Sequence, residues 1–147
     1  MKFAVGYQRM EDRAESFLDI VRDYRENIDE VYFPWVHSPS GRASLSESRG
    51  LVDWKTQTQL ETDLIALRDL GVRLDLLLNA NCYGGKAVSE YLENQVGSLL
   101  THLDDLIGGV DVVTTTSPAI ARTVKTYFPA VDVRTSVNMR IGTVQGL

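Results

Sequence analysis

The sequence predicts an α/β fold of parallel β/α units, preferentially the first half of a TIM-like (β/α) barrel, with a five-stranded flavodoxin-like doubly wound sheet as the alternative. Three observations carry this expectation. Five short apolar or β-branched runs alternate with four longer stretches whose apolar residues recur at helical spacing. The order strand, helix, strand is kept throughout, with no block of consecutive strands that would signal hairpins. Residues 110–147 (VDVVTTTSPAIARTVKTYFPAVDVRTSVNMRIGTVQGL) condense the pattern into one βαβ unit, and such units build parallel sheets.

Each element has a local reason. KFAVGY (2–7) is short, apolar and β-rich, and reads as a buried first strand. Phe17, Leu18, Val21, Tyr24 and Ile28 then form the stripe of an amphipathic helix. EVYFPW (30–35) is the second strand, with Pro34 near its end, where a lost N–H costs least. The second helix spans 56–70, with Leu60, Leu64 and Leu67 inward and Gly71 closing it. VRLDLLLNA (72–80) is the third strand, and Leu92, Val96, Leu99, Leu103 and Leu106 mark a third helix that Gly108-Gly109 stops. Strand four (110–116) meets Ser117-Pro118, a cap followed by the residue best suited to a first helical position. Ile120, Val124 and Tyr127/Phe128 continue that helix, Pro129 ends it, and 131–137 is strand five. The residues TVQGL read as the first turn of a further helix.

With 147 residues, 44% of them hydrophobic, the chain suits a single domain over 1–147 with a sizeable core, or the N-terminal portion of a larger barrel domain. A complete barrel needs about 250 residues. The net charge of −5 and the absence of a basic cluster argue against nucleic acid as a partner. No apolar run approaches the ~18 residues of a membrane span. The N-terminal stretch lacks the apolar core of a signal peptide. A single cysteine, Cys82, excludes an intrachain disulfide framework and fits a reducing compartment. A cytoplasmic location is the expectation.

If the strands are parallel, their C-terminal ends share one face, where such folds place ligands. Strand one brings Tyr7, Gln8 and Arg9, and strand two brings Trp35 and His37. The long irregular stretch from residue 36 to about 55 brings Arg42; loops beyond about 12–15 residues are often functional. Strand three contributes Asn79, Asn81 and Cys82, strand four Thr115, Thr116 and Ser117, and strand five Ser136, Asn138 and Arg140. The candidates for ligand binding are Arg9, Arg42, Asn79, Asn81, Cys82, Thr116, Ser136, Asn138 and Arg140. Guanidinium forks with amides and hydroxyls suit an anionic or carbonyl-bearing ligand, either a small molecule or a peptide. The plainer reading assigns the threonines and serines to strand packing and helix caps, the asparagines to turn backbone and the arginines to surface ion pairs. A Cys82–His37 thiolate pair would need hydrogen-bond reach and a lowered thiol pKa. No metal-ligating spacing and no glycine-rich phosphate loop is present, and Glu61, Asp63, Asp104 and Asp105 read as solvated helix faces.

The motifs VTTTSPAIARTVKTYFP, VRTSVNMRIGTVQGL, VYFPWVHSPSGRASL and LDLLLNANCYGG, in that family's order, resemble the collagenase-like peptidase family U-32. The resemblance implies a barrel-like N-terminal domain and a peptidase or related enzyme. It leaves the catalytic residues unknown. The family's cysteine-bearing signature is not among these residues, so no cofactor is identifiable here, and an iron–sulfur cluster could come only through sequence not present. The alternative is a non-catalytic half-barrel or binding module that needs a partner half or self-association. A half-barrel exposes strand edges, so the chain is expected to form a homo-oligomer or to require a missing C-terminal half.

Overall fold

The computed structural model describes residues 1–10, 15–36, 38–42, 45 and 53–139. The chain is an α/β fold with a five-stranded, all-parallel sheet and helices between the strands. The strands are β1 (Phe3–Gly6), β2 (Ile28–Pro34), β3 (Arg73–Leu78), β4 (Val112–Thr115) and β5 (Asp132–Thr135). The helices between them are α1 (Phe17–Asp23), α2 (Trp54–Asp69), α3 (Glu90–Ile107) and α4 (Pro118–Tyr127), and short 3-10 turns follow β3 and β5. No helix among the described residues is long and apolar enough to cross a membrane.

The strands lie in the sequential order β1-β2-β3-β4-β5. A flavodoxin-like sheet would place the first strand between the second and third. Sequential order is the arrangement of a barrel segment. Because parallel crossovers are right-handed, it also puts all four helices on one face. The side-chain alternation agrees. Val31, Phe33, Leu74, Leu76, Leu78 and Val113 share one face and pack with Leu60, Leu64, Leu67, Leu103, Ile120 and Val124 of the helices. The opposite face carries Gly6, Glu30, Tyr32, Asp75, Leu77, Thr114 and Arg134, at the intervening positions.

Local signals account for the helix ends. Ser16 caps α1 in a reciprocal capping box with Asp19, and the Oγ atoms of Ser89 and Ser117 accept from the N–H groups of Leu92 and Ile120. Pro118 stands in the first turn of α4. Three expectations need correction. The first strand is not buried: β1 is an edge strand with Phe3 49% exposed, because pairing on one side leaves it open. The first helix stops at Asp23, and Ile28, which shares the helical spacing, begins β2 instead. Asp63 is not on a solvated face. It is buried, three residues from Leu60, and accepts hydrogen bonds from Tyr7 Oη at 2.7 Å and Gln59 Nε2 at 2.8 Å.

The N-terminal end of the sheet is fastened by arginines. Arg25 donates to the carbonyls of Leu70 (2.6 Å), Ile28 (2.8 Å) and Gly71 (2.7 Å), tying the end of α2 to the start of β2. Arg68 binds Asp111 Oδ2 (3.0 Å) and the Gly109 carbonyl (2.5 Å), and Asp111 in turn accepts from Leu74 N–H at 2.8 Å.

Candidate functional site

The helix-free face is crossed by a charged network. Arg134 on β5 grips Glu30 on β2 with both arms, at 2.6 and 2.9 Å, and reaches Asp75 Oδ2 on β3 at 3.1 Å. Thr114 on β4 donates to the same Asp75 oxygen at 2.7 Å. One guanidinium and one hydroxyl thus join four strands. Glu30 and Asp75 are buried. Burial pushes the Asp75 carboxyl above its usual range, against the opposing pull of Thr114 and Arg134 and with the help of Glu30. The other oxygen of Asp75, Oδ1, is buried without a hydrogen-bond partner.

Towards the C-terminal ends of the strands the groups change. The segment after β2 returns over the sheet edge, and Gly41 N–H donates to Asn79 Oδ1 at 2.9 Å. A β-carbon at position 41 would stand 2.9 Å from Asn138 Nδ2 and 3.5 Å from Asn79 Nδ2, so the loops after β2, β3 and β5 meet at that glycine. The next residue, Arg42, lays its guanidinium over the Tyr32 ring, 5.0 Å from the centroid. It occupies the space a side chain on Gly6 would fill, which is why β1 ends in a residue without a β-carbon. Among the described residues the Arg42 guanidinium has no hydrogen-bond or ion-pair partner.

The remaining candidates are placed as follows. Arg9 turns to the N-terminus of α2, where it donates to Thr56 Oγ1 beside the cap residue Asp53. Thr116 Oγ1 is bound to the Ala80 carbonyl at 2.5 Å, joining the ends of β3 and β4. Ser136 is buried, and its Oγ accepts from Asn138 N–H at 3.3 Å. Asn81 and Cys82 are exposed, and Cys82 Sγ accepts from Gly84 N–H at 3.2 Å. Arg140 and His37 lie outside the described residues, and with His37 lies any test of the Cys82–His37 pair. Asn79 and Asn138 are therefore brought together at Gly41, and the next residue, Arg42, sets its guanidinium on Tyr32 and Gly6, whereas Arg9 is directed elsewhere.

A cavity of about 340 Å³ opens on the other side of the same loops. It is lined by Pro39, Cys82 and Tyr83 from the loops and by Leu92, Val96 and Leu99 of α3. Lys86 lies over the Tyr91 ring at 4.0 Å beside it. Tyr83 is anchored by its hydroxyl to the Leu78 carbonyl at 2.5 Å, and burial raises its pKa. Two residues that sequence reasoning did not single out are Tyr32 and Gly6. Their signal was present: alternation puts Tyr32 on the face opposite Val31 and Phe33, and a glycine inside a strand marks a close approach. Among the described residues, no group of three or more His, Cys, Asp or Glu side chains is placed to hold a metal ion. No family model, no curated protein and no solved structure matches the chain.

Proposed function

We propose that the chain is the first part of a β/α-barrel enzyme related to the U-32 peptidases, binding a peptide or small-molecule ligand across the C-terminal ends of its parallel strands. The observation that carries this reading is the meeting of Gly41, Asn79 and Asn138 at the strand ends, from three loops far apart in sequence. Two amide NH2 groups at one point can hold and orient a carbonyl or carboxylate. The hydrolytic part rests on the resemblance of the sequence motifs to that family.

The test is to incubate the full chain with a mixed peptide library and count new primary amines by fluorescent labelling. Amines are expected to accumulate with the wild type and not with an Asn79→Ala/Asn138→Ala double variant of similar Tm. If the wild type binds peptides but releases no amines, the hydrolytic reading fails.

A second reading, a half-barrel that completes itself by association, is favoured by the sheet edges. Within the described sheet β1 and β5 each pair on one side only. Unpaired edges invite another chain. Light scattering of the full chain is expected to give a dimer or larger species, and a stable monomer would count against this reading.

A further inference from the structure

We infer that Arg42 is a carboxylate receptor: a stacked guanidinium that selects ligands bearing a free, singly charged carboxylate at the strand ends. The inference rests on the ligand-site reading above and goes beyond it by naming the group recognised. Four arginines with described contacts at the sheet's rim and inner face (Arg9, Arg25, Arg68 and Arg134) each direct guanidinium donors to protein oxygens, although Arg68 Nε is left without a partner among the described residues. Arg42 differs. Its planar group is held from below by Tyr32 and closed in by Gly6, while its N–H groups have no acceptor among the described residues. Contact with the ring on one side and with Gly6 on the other confines the guanidinium and so restricts its donors in advance. A confined fork without an acceptor among the described residues matches the two oxygens of a carboxylate.

Charge selects a monoanion. The residue before Arg42, Gly41, meets the neutral side-chain amides of Asn79 and Asn138. The same sheet face holds Glu30, two residues before Tyr32, and Asp75, directly opposite Tyr32 in the strand register. The whole chain carries −5. Arg134 already pairs with Glu30 and Asp75, so among the described residues Arg42 is the cation left over on this face: a carboxylate is neutralised by it, whereas a dianionic phosphate would keep one charge unmatched. The carboxylate can be the C-terminus of a peptide or belong to a small organic acid.

The experiment uses the full chain and follows the side-chain amide NMR signals of Asn79 and Asn138 and the Arg42 Nε–H signal. Four probes are titrated: N-acetyl-trialanine with a free carboxylate, its C-terminal amide, propionate and inorganic phosphate. The free acid is expected to bind at least tenfold more tightly than its amide. Arg42→Ala should abolish that preference, and Arg42→Lys, which keeps charge but not the fork, should restore it only in part. Propionate binding as tightly as the peptide acid would support the carboxylate receptor and assign it to small acids. Equal binding of acid and amide, or a preference for phosphate, would overturn the carboxylate inference while leaving a ligand site at the strand ends. If no probe moves the Asn79 and Asn138 signals, both the inference and the site reading fall.

Discussion

The two ends of the sheet use the same side chain in opposite ways. At the N-terminal end, Arg25 closes three backbone carbonyls and Arg68 bridges Gly109 and Asp111, so each guanidinium is a fastener between a helix end and a strand start. At the C-terminal end, Arg42 is stacked, enclosed and unbonded among the described residues. A guanidinium whose donors are satisfied adds to stability, and one held in place with its donors unspent adds little to the fold and much to recognition. In parallel β/α architectures this division is expected, because the C-terminal face carries the ligand loops and the opposite face carries stability.

The same substitution at each end is the most direct way to break that contrast. Arg25→Ala removes three charge-assisted hydrogen bonds to backbone carbonyls. It is expected to cost about 2–3 kcal/mol, and to lower Tm by roughly 6–10 °C for a chain of this size. Among the described residues, Arg42→Ala removes a ring contact and no side-chain hydrogen bond, and it should stay within about 0.5 kcal/mol of the wild type. Thermal unfolding of both variants by circular dichroism decides the matter. If Arg42→Ala costs as much as Arg25→Ala, Arg42 is a fastener too, and its role in recognition loses its basis.

How much of this was legible in the sequence depends on the range of each interaction. Ser89, Ser117 and Pro118 act within one helical turn, so the starts of α3 and α4 could be read directly. The leucine spacing of α2 likewise names the side chains that face the sheet. In α3, by contrast, Leu100 and Ile107 are buried and the expected Leu99 and Leu106 only partly so, because a strict stripe does not track the turn of about 3.6 residues. Ile28 could not be placed, since its position four residues after Tyr24 suits both the end of a helix and the start of a strand. The exposure of β1 depends on strand order, which periodicity does not encode. The network on the helix-free face was invisible for a related reason. Glu30, Asp75 and Arg134 interrupt apolar runs, and Arg134 sits 104 positions from Glu30 and 59 from Asp75. Of the site, the long loop drew attention to Arg42, but only the fold shows that Tyr32 and Gly6 hold it.

Asp75 sharpens the contrast from the middle of the sheet, with a smaller effect that depends on pH. Its carboxyl is buried, with one oxygen shared by Thr114 and Arg134 and the other unpartnered, and burial raises its pKa in the folded chain. In the unfolded chain it titrates near the ordinary aspartate value of about 3.9. The folded state therefore binds this proton more tightly than the unfolded state. Its contribution is fully present below the unfolded value and is lost as pH rises through the raised folded value. Asp75→Asn removes the titrating proton while keeping an oxygen for the Thr114 hydroxyl. Urea unfolding of wild type and variant from about pH 4 upward should show the wild type losing stability relative to the variant across that window. Parallel curves would mean that Arg134 compensates the buried carboxylate fully. Asp75 would then belong with the satisfied groups of the N-terminal end, leaving Arg42 as the one charge on this face whose donors await a partner among the described residues.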